Sequence, residues 1–416
     1  MNEGSIGRPA DVRMHGFTRR HTVQAALAWL DAQLTSLGSE CVPLRAAAGR
    51  VLATPVVSTV DVPGFDRATM DGYAVVADST EGATPYNPVV LSVVGDALPG
   101  APSARAIAPG EAVRIMTGAP MPAGADAVLP VEFVERIPGA ADRISAVAAV
   151  SPDKNIGRRG EDIAAGTTLL AAGRMLRPQD VGVISSVGVR DVPVVRGPRV
   201  RLVITGNELL PAGSLPRGYS ITDANGPMLT ALAERDGAAV DFPGLVRDDT
   251  ESILAALHAD ADVIIVSGGS SVGIEDLAPT LVAAHGELAI HGIAMRPSSP
   301  TGMGRIGQRL VFLLPGNPVS ALCAYDFFAG RAIRVLGGRP AAWPYRSVRA
   351  TLARKISSPI GRLDYARVSL TGGRIEPLSV AGASILSSTT RADGFVVVPD
   401  DSEGFPAGAD VDVWLY

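Results

Sequence analysis

The stretch Val263-Ile264-Ile265-Val266-Ser267-Gly268-Gly269-Ser270-Ser271-Val272-Gly273 decides how this chain folds, because a short apolar run breaks into a glycine- and serine-rich loop. That is the form of a strand running into a turn. Working outward, the same unit recurs. Strands are expected over 200–205, 239–246, 263–267, 288–295 and 310–314, and helices over 227–236, 250–260, 276–285 and 319–336. Strand, loop and helix in regular alternation build a right-handed, mostly parallel sheet with helices on both faces. Ligands of such sheets bind beyond the carboxyl ends of the strands. Function is therefore to be sought in the loops that follow the strands.

Those loops share a chemistry. After the first strand comes Thr205-Gly206-Asn207-Glu208. The third leads into Ser267, Gly268, Gly269, Ser271 and Gly273, and the last into Pro315-Gly316-Asn317-Pro318-Val319-Ser320. Glycine and serine ahead of a helix leave backbone N–H groups unpaired at the positive end of the helix dipole, which suits an anion. One such loop is a common turn; several on one sheet edge point to an anion pocket. The carboxylates Glu208, Asp248 and Asp276 sit beside these loops. Hard oxygen donors near a phosphate cradle suit Mg²⁺. Helix capping is an equally sound local reason for Asp276 and Asp249, but not for Glu208, which follows a strand.

The flanks read differently. Residues 1–17 are polar and read as a disordered leader. Val23, Leu27, Leu30, Leu34 and Leu37 recur at helical spacing up to Gly38, and a second short helix is expected over 44–52. From 56 to 150 short apolar runs (88–94, 112–116, 127–134, 144–150) are broken by Pro and Gly, which indicates a small β domain. Residues 151–195 open with a charged glycine loop and return to strand and helix signals at 168–170, 177–187 and 192–195. They complete the element begun by the N-terminal helix, which makes that domain discontinuous. The expected division is 18–56 with 151–196, then 57–150, 197–338, and a C-terminal β domain over 345–416. The fold class is multidomain α/β: one doubly wound α/β domain with additional mostly-β domains.

Composition narrows the function. At 416 residues, 47 % hydrophobic and 19 % charged, the chain supports several packed cores and is not generally disordered. A formal net charge of −5 gives no global attraction for nucleic acid or anionic membrane. Lys154 and Lys355 are the only lysines. Cys41 and Cys323 stand alone, without metal or disulfide spacing, so a reducing compartment is expected. No apolar run is long enough to cross a bilayer and no signal-peptide pattern opens the chain, so the expected location is cytoplasmic. The histidines show no HExxH spacing, and GxxxxGK[ST] is missing. P-loop chemistry is not indicated.

Three further loops are unusually dense: Asp61 to Tyr73, Ile115 to Asp126, and Asn155 to Asp162. With the strand-end loops they form an ordered set running from about Thr22 to Tyr416: DVPGFDRATMDGYAV, MTGAPMPAGADAV, RRGED, TGNEL, TDANG, SGGSSVG, LPGNPVSA and GASILSS. The set resembles the molybdopterin molybdenumtransferases, the MoeA family that includes the E domain of gephyrin. The resemblance implies an elongated homodimer of four-domain subunits whose third domain is a doubly wound molybdopterin-binding fold. It implies as substrates adenylated molybdopterin and molybdate, with Mg²⁺-dependent hydrolysis of the adenylate and release of AMP. The site is then shared between domain three of one subunit and domain two of its partner. Molybdopterin adenylyltransferase and apo-molybdoenzymes are implied as transient partners. Carried onto matching positions, the resemblance points to Asp71, Thr117, Asp162, Glu208, Asp248 and Asp276 for catalysis, the last three also for metal. It points to Asp223 and Asn225 as cofactor contacts.

The sequence also departs from the family pattern. Where K-P-G-K-P is usual, this chain has Arg296-Pro297-Ser298-Ser299-Pro300. Arg296 keeps one of the charges implicated in holding molybdate, and Ser299 keeps only a hydroxyl. Gly157 stands where a further Arg is common, and Asn207 where Asp is usual. These departures leave room for a paralogue with altered oxyanion use and for a non-catalytic molybdopterin-binding scaffold. The adenylation step itself fits less well, because the extra β domains and the PGF-MDGYA loop are foreign to it.

Overall fold

A computed structural model describes residues 20–268, 277–379 and 385–416. The expected leader lies outside these residues, as do Gly269, Ser271, Gly273 and Asp276. The chain gathers into two compact units, one comprising the chain up to Glu40, Gly49–Val51 and Pro193–Tyr416, the other Cys41–Ala48 and Leu52–Val192.

The first unit is organised by a sheet in the order Ala239–Asp241, Arg199–Thr205, Val263–Ser267, Arg309–Leu314, Gly302–Ile306 and Glu287–His291. Val263–Ser267 is buried at every position and pairs in parallel on both sides, Val266 with Val203 and with Leu313. A β-branched run with no polar face belongs at such a centre. Alternate side chains feed opposite layers. Leu202, Ile204, Ile265 and Phe312 pack with Leu229, Phe328 and Ile333, and the N-terminal helix Val23–Gln33 adds Val23, Ala26 and Leu30 to that core. Val203, Ile264, Val266 and Leu313 pack on the other face with Ile253, Leu257, Leu281 and Val282. The doubly wound arrangement follows from this period of two.

Several boundaries correct the sequence reading. The expected strand 239–246 splits into Ala239–Asp241 and Leu245–Val246 around Pro243-Gly244, where a proline cannot donate to the ladder. The expected strand 288–295 is also two. Glu287–His291 forms an antiparallel edge with Gly302–Ile306, which the pattern of residues did not reveal, and Met295–Arg296 leaves the sheet to pair with Leu363–Thr371. The helix expected over 44–52 is only a short turn, Leu44–Ala46; Gly49 adopts φ +77°, which ends regular structure there. The last helix is continuous from Pro318 to Leu336 but carries a π turn at Tyr325–Ala329.

Also in this unit, Leu363–Thr371, Arg374–Ser379, Arg346–Leu352, Asp410–Leu415 and Gly394–Val398 close into a barrel through the pairing of the first with the last. Closure leaves no exposed ladder edge among these strands.

The second unit is built on a sheet ordered Ala127–Pro130, Gly72–Val75, Glu111–Ile115, Val89–Ala97, Arg143–Ala146 and Val134–Arg136. Its one parallel pair joins Val89–Ala97 to Glu111–Ile115. The expected runs each contain a strand, although Val131–Phe133 is a 3₁₀ turn and not the continuation of one. Helix Pro178–Ser186 is anchored by Asp180, which accepts from the Arg177 backbone at 2.9 Å and from both Arg174 and Arg177 guanidinium groups.

Candidate functional site

Within the first unit, the strand ends and helix starts converge on Asn225. It opens the helix Asn225–Arg235, and its Nδ2 donates to Ser267 Oγ at 2.9 Å and to the Gly316 carbonyl at 2.8 Å. The Ser267 hydroxyl in turn donates to the Pro315 carbonyl at 3.4 Å. One side chain thus joins the ends of two parallel strands to the start of a helix. Its other atom, Oδ1, is buried without a hydrogen-bond partner among the described residues, which is costly unless a ligand completes it.

The backbone approaches closely here. A Cβ on Gly268 (φ +102°) would lie 2.0 Å from the Thr205 carbonyl, and the Gly268 Cα is the nearest neighbour of the Gly316 Cβ position at 3.7 Å. Only glycine is admitted at 268, whereas the Gly316 distance is ordinary van der Waals contact. Asp223 Oδ1 accepts from the Gly226 N–H at 2.9 Å and fixes the helix start. Asp248 Oδ1 accepts from Thr205 Oγ1 at 3.1 Å, and the Glu208 carboxylate curls back over Gly206, whose Cβ would meet Oε2 at 2.9 Å. Asp249 is a helix cap, accepting from the Ser252 N–H at 2.8 Å, which holds its carboxyl below the usual range. Asn317 and Pro318 begin the last helix with proline in its first turn, as the fixed proline φ favours. Ser320 accepts at its carbonyl from Ser298 Oγ at 2.6 Å, so the 296–300 loop abuts the same helix start.

Arg296 is engaged: its guanidinium pairs with the fully buried Asp364. Arg362 Nε lies 3.3 Å from the other oxygen of that carboxylate. Ser299 Oγ is buried without a partner among the described residues.

The second unit holds a separate cluster. Asp71 Oδ1 accepts from the Thr117 N–H at 2.7 Å and from its hydroxyl at 2.8 Å. These bonds, the backbone one first, hold the Asp71 carboxyl below its ordinary range. Asp66 accepts from the Arg159 N–H at 2.8 Å and pairs with Arg158; Asp61 accepts from the Ala165 N–H and Arg159 Nε, at 2.8 and 2.7 Å. Ala68 exchanges backbone bonds with Gly118 and Ala119 and pairs with Ile156. The three dense loops are therefore one construction. Asp162 is exposed next to it. The sequence reading passed over Asp61 and Asp66 as individual residues; the opposite charges of DVPGFD and RRGED could have paired them. Nothing marked Arg362 and Asp364, which read as the start of an ordinary strand.

Comparison with other proteins agrees with this construction. The chain matches the MoeA N-terminal region (domain I and II) over residues 21–188, the probable molybdopterin binding domain over 201–334, and the MoeA C-terminal region (domain IV) over 349–416. It is 37 % identical to molybdopterin molybdenumtransferase 2 of Mycobacterium tuberculosis, over 90 % of this chain and 94 % of that protein. Identity to the Staphylococcus aureus molybdopterin molybdenumtransferase is 30 %, over 94 % and 95 % of the two chains. The crystal structure of the molybdopterin biosynthesis MoeA protein from Pyrococcus horikoshii superposes with a TM-score of 0.80 at 34 % identity, covering 95 % of this chain and 99 % of that one. With all three regions matched in order and relatives aligned end to end, the chain belongs to the molybdopterin molybdenumtransferase (MoeA) family.

Proposed function

We propose that this protein inserts molybdenum from molybdate into adenylated molybdopterin, releasing AMP, as a late step of molybdenum cofactor biosynthesis. The observation that carries the reading is the Asn225 junction, a polar rim with a buried unpartnered oxygen where two parallel strands end. Backbone N–H groups of the strand-end loops would hold the pterin phosphate, and Asp223 and Asn225 would orient the pterin side. Asp71 and Thr117, with Asp162 nearby, would act on the nucleotide-bearing end, the protein working as a cytoplasmic homodimer whose site is shared between subunits. The division into an N-terminal discontinuous domain, a β domain, the α/β domain and the C-terminal barrel is proposed as its working modules.

The donor types at the rim suit Mg²⁺, although among the described residues no three acids, histidines or cysteines gather into a metal-holding group. The available donors at the rim are oxygens: Glu208, and Asp248, whose Oδ2 is left over when Oδ1 accepts from Thr205. Magnesium usually takes one or two carboxylates together with substrate phosphate, so Glu208 and Asp248 would hold it, with Asp276 as the third acid the sequence offers. Bound there, it would offset the charge that develops on the departing phosphate. The protein's own part is to fix the anhydride against the rim.

The engagement of Arg296 by Asp364 favours a second reading, a molybdopterin-binding paralogue with altered oxyanion use. Purified protein given adenylated molybdopterin, Mg²⁺ and micromolar molybdate distinguishes the readings. AMP release with reconstitution of an apo-molybdoenzyme supports the transferase. AMP release without reconstitution supports the paralogue, and tight pterin binding with no turnover a scaffold.

A further inference from the structure

We propose that Arg362, gathered with Arg296 on the buried carboxylate of Asp364, supplies the second cation of a tetrahedral-oxyanion clamp at the 296–300 loop. The inference rests on the transferase reading and names how its oxyanion is held. The strand Met295–Arg296 lies beside the barrel strand Leu363–Thr371, with Arg296 in register with Asp364. One carboxylate oxygen pairs with Arg296 and the other lies 3.3 Å from Arg362 Nε. Asp364 is fully buried, whereas the two arginine side chains remain 31 % and 35 % exposed.

Two guanidinium groups on one carboxylate leave a net charge of +1. The pairing does not use up the donors: Arg296 Nε and Ser299 Oγ are buried without hydrogen-bond partners among the described residues, and Arg362 Nε, although 3.3 Å from the carboxylate, makes no hydrogen bond to it. Unfilled buried donors around surplus positive charge are the chemistry of an anion site. The loop's shape is kept as well. Ser298 stands at the central position of the five-residue loop with φ +87°, a glycine-like conformation held by its bond to Ser320. Asp364 is on this view a positioning residue: it makes no contact with the oxyanion but aims both cations.

The test uses the full-length protein and the variants Arg362→Gln and Arg362→Gln/Ser299→Lys. Binding of molybdate and tungstate is followed by calorimetry, and the molybdate dependence of reconstitution by kinetics. Losing one charged contact should raise the molybdate Kd and KM about tenfold or more, with a smaller fall in kcat. The lysine that Ser299→Lys introduces in the double variant should restore most of the affinity, an outcome that mere destabilisation by Arg362→Gln would not produce. Unchanged Kd and KM in a folded Arg362→Gln protein overturn the clamp and leave the transferase reading intact. Failure of the wild-type protein both to bind either oxyanion and to reconstitute overturns both.

Discussion

The carboxylate of Asp71 accepts two hydrogen bonds on a single oxygen from Thr117, one from its backbone N–H at 2.7 Å and one from its hydroxyl at 2.8 Å. The pair bridges two loops that lie 46 residues apart in sequence, and its second oxygen remains available to a ligand.

Both donors favour the ionised acid, so its folded-state pKa lies below the usual value. As pH falls, the charge persists until that lowered pKa is reached, and the contribution is lost only there. If Asp71 acts in its ionised form, the acid limb of AMP release should not reflect an ordinary aspartate near pH 4. Removing one donor with Thr117→Val should move that limb upward while Thr117→Ser leaves it in place. Identical limbs in the wild type and Thr117→Val, measured as kcat/KM against pH, would detach Asp71 from the reaction.

Asn225→Leu removes two donors that hold the strand ends together. It leaves the buried Ser267 hydroxyl without its donor and frees the carbonyl of the exposed Gly316. A loss of about 1–3 kcal/mol is expected, together with loss of pterin binding. Gly268→Ala should be worse, because the new methyl would meet the Thr205 carbonyl in a left-handed backbone that alone costs about 1–2 kcal/mol. Denaturant midpoints with an unchanged slope give the comparison. Asn225→Leu leaving both stability and pterin affinity intact would remove it from the rim.

Residue types made the α/β core legible because its strands announce themselves. Val263–Val266 is apolar throughout and the whole strand to Ser267 is buried, and the glycines at Gly268 and Gly316 fall where the backbones close on each other. The antiparallel edge was not legible. Gly302–Ile306 is rich in glycine, and its strand character comes from pairing with Arg309–Leu314, a tertiary preference that local propensity does not carry. The same holds for Asp364. Its burial and its two arginines depend on Met295–Arg296 crossing to another sheet, which no short-range pattern encodes. Asp71 and Thr117 were each singled out through motif resemblance, but their hydrogen-bonded pairing was not foreseen, for the same reason.

Ser298 offers a test of how far the 296–300 loop tolerates change. Its positive φ strains a residue with a Cβ, by about 1–3 kcal/mol, while its hydroxyl bond to the Ser320 carbonyl returns about 1 kcal/mol. The two nearly offset. Ser298→Gly should therefore leave stability within about 1 kcal/mol of wild type and keep molybdate affinity, whereas the β-branched Ser298→Val should lose both. A clearly destabilised Ser298→Gly protein, by thermal or denaturant unfolding, would show that the hydroxyl outweighs the strain.

Asp326 lies in the π turn of the last helix, fully buried. It accepts from Tyr345 OH at 2.9 Å and Tyr365 OH at 3.3 Å, with Arg235 3.8 Å away. Burial outweighs Arg235 and the tyrosines and pushes its pKa up to about 6. A folded-state value above the unfolded one means that the native state holds the proton more tightly. The corresponding stability is present at low pH and is lost as pH rises from about 4 through about 6. The wild type should lose roughly 2–3 kcal/mol across that window relative to Asp326→Asn, which has no charge to bury. At pH 8 the variant should therefore be the more stable protein, provided its amide oxygen still accepts from Tyr345 and its NH2 donates to the Tyr365 hydroxyl, which can turn its own proton to Tyr416. Parallel stability curves for the two proteins between pH 4 and 7, measured in urea at constant ionic strength, would mean that Asp326 is as well solvated by its partners as an aspartate in water. The protein would then carry no proton-linked penalty at the π turn.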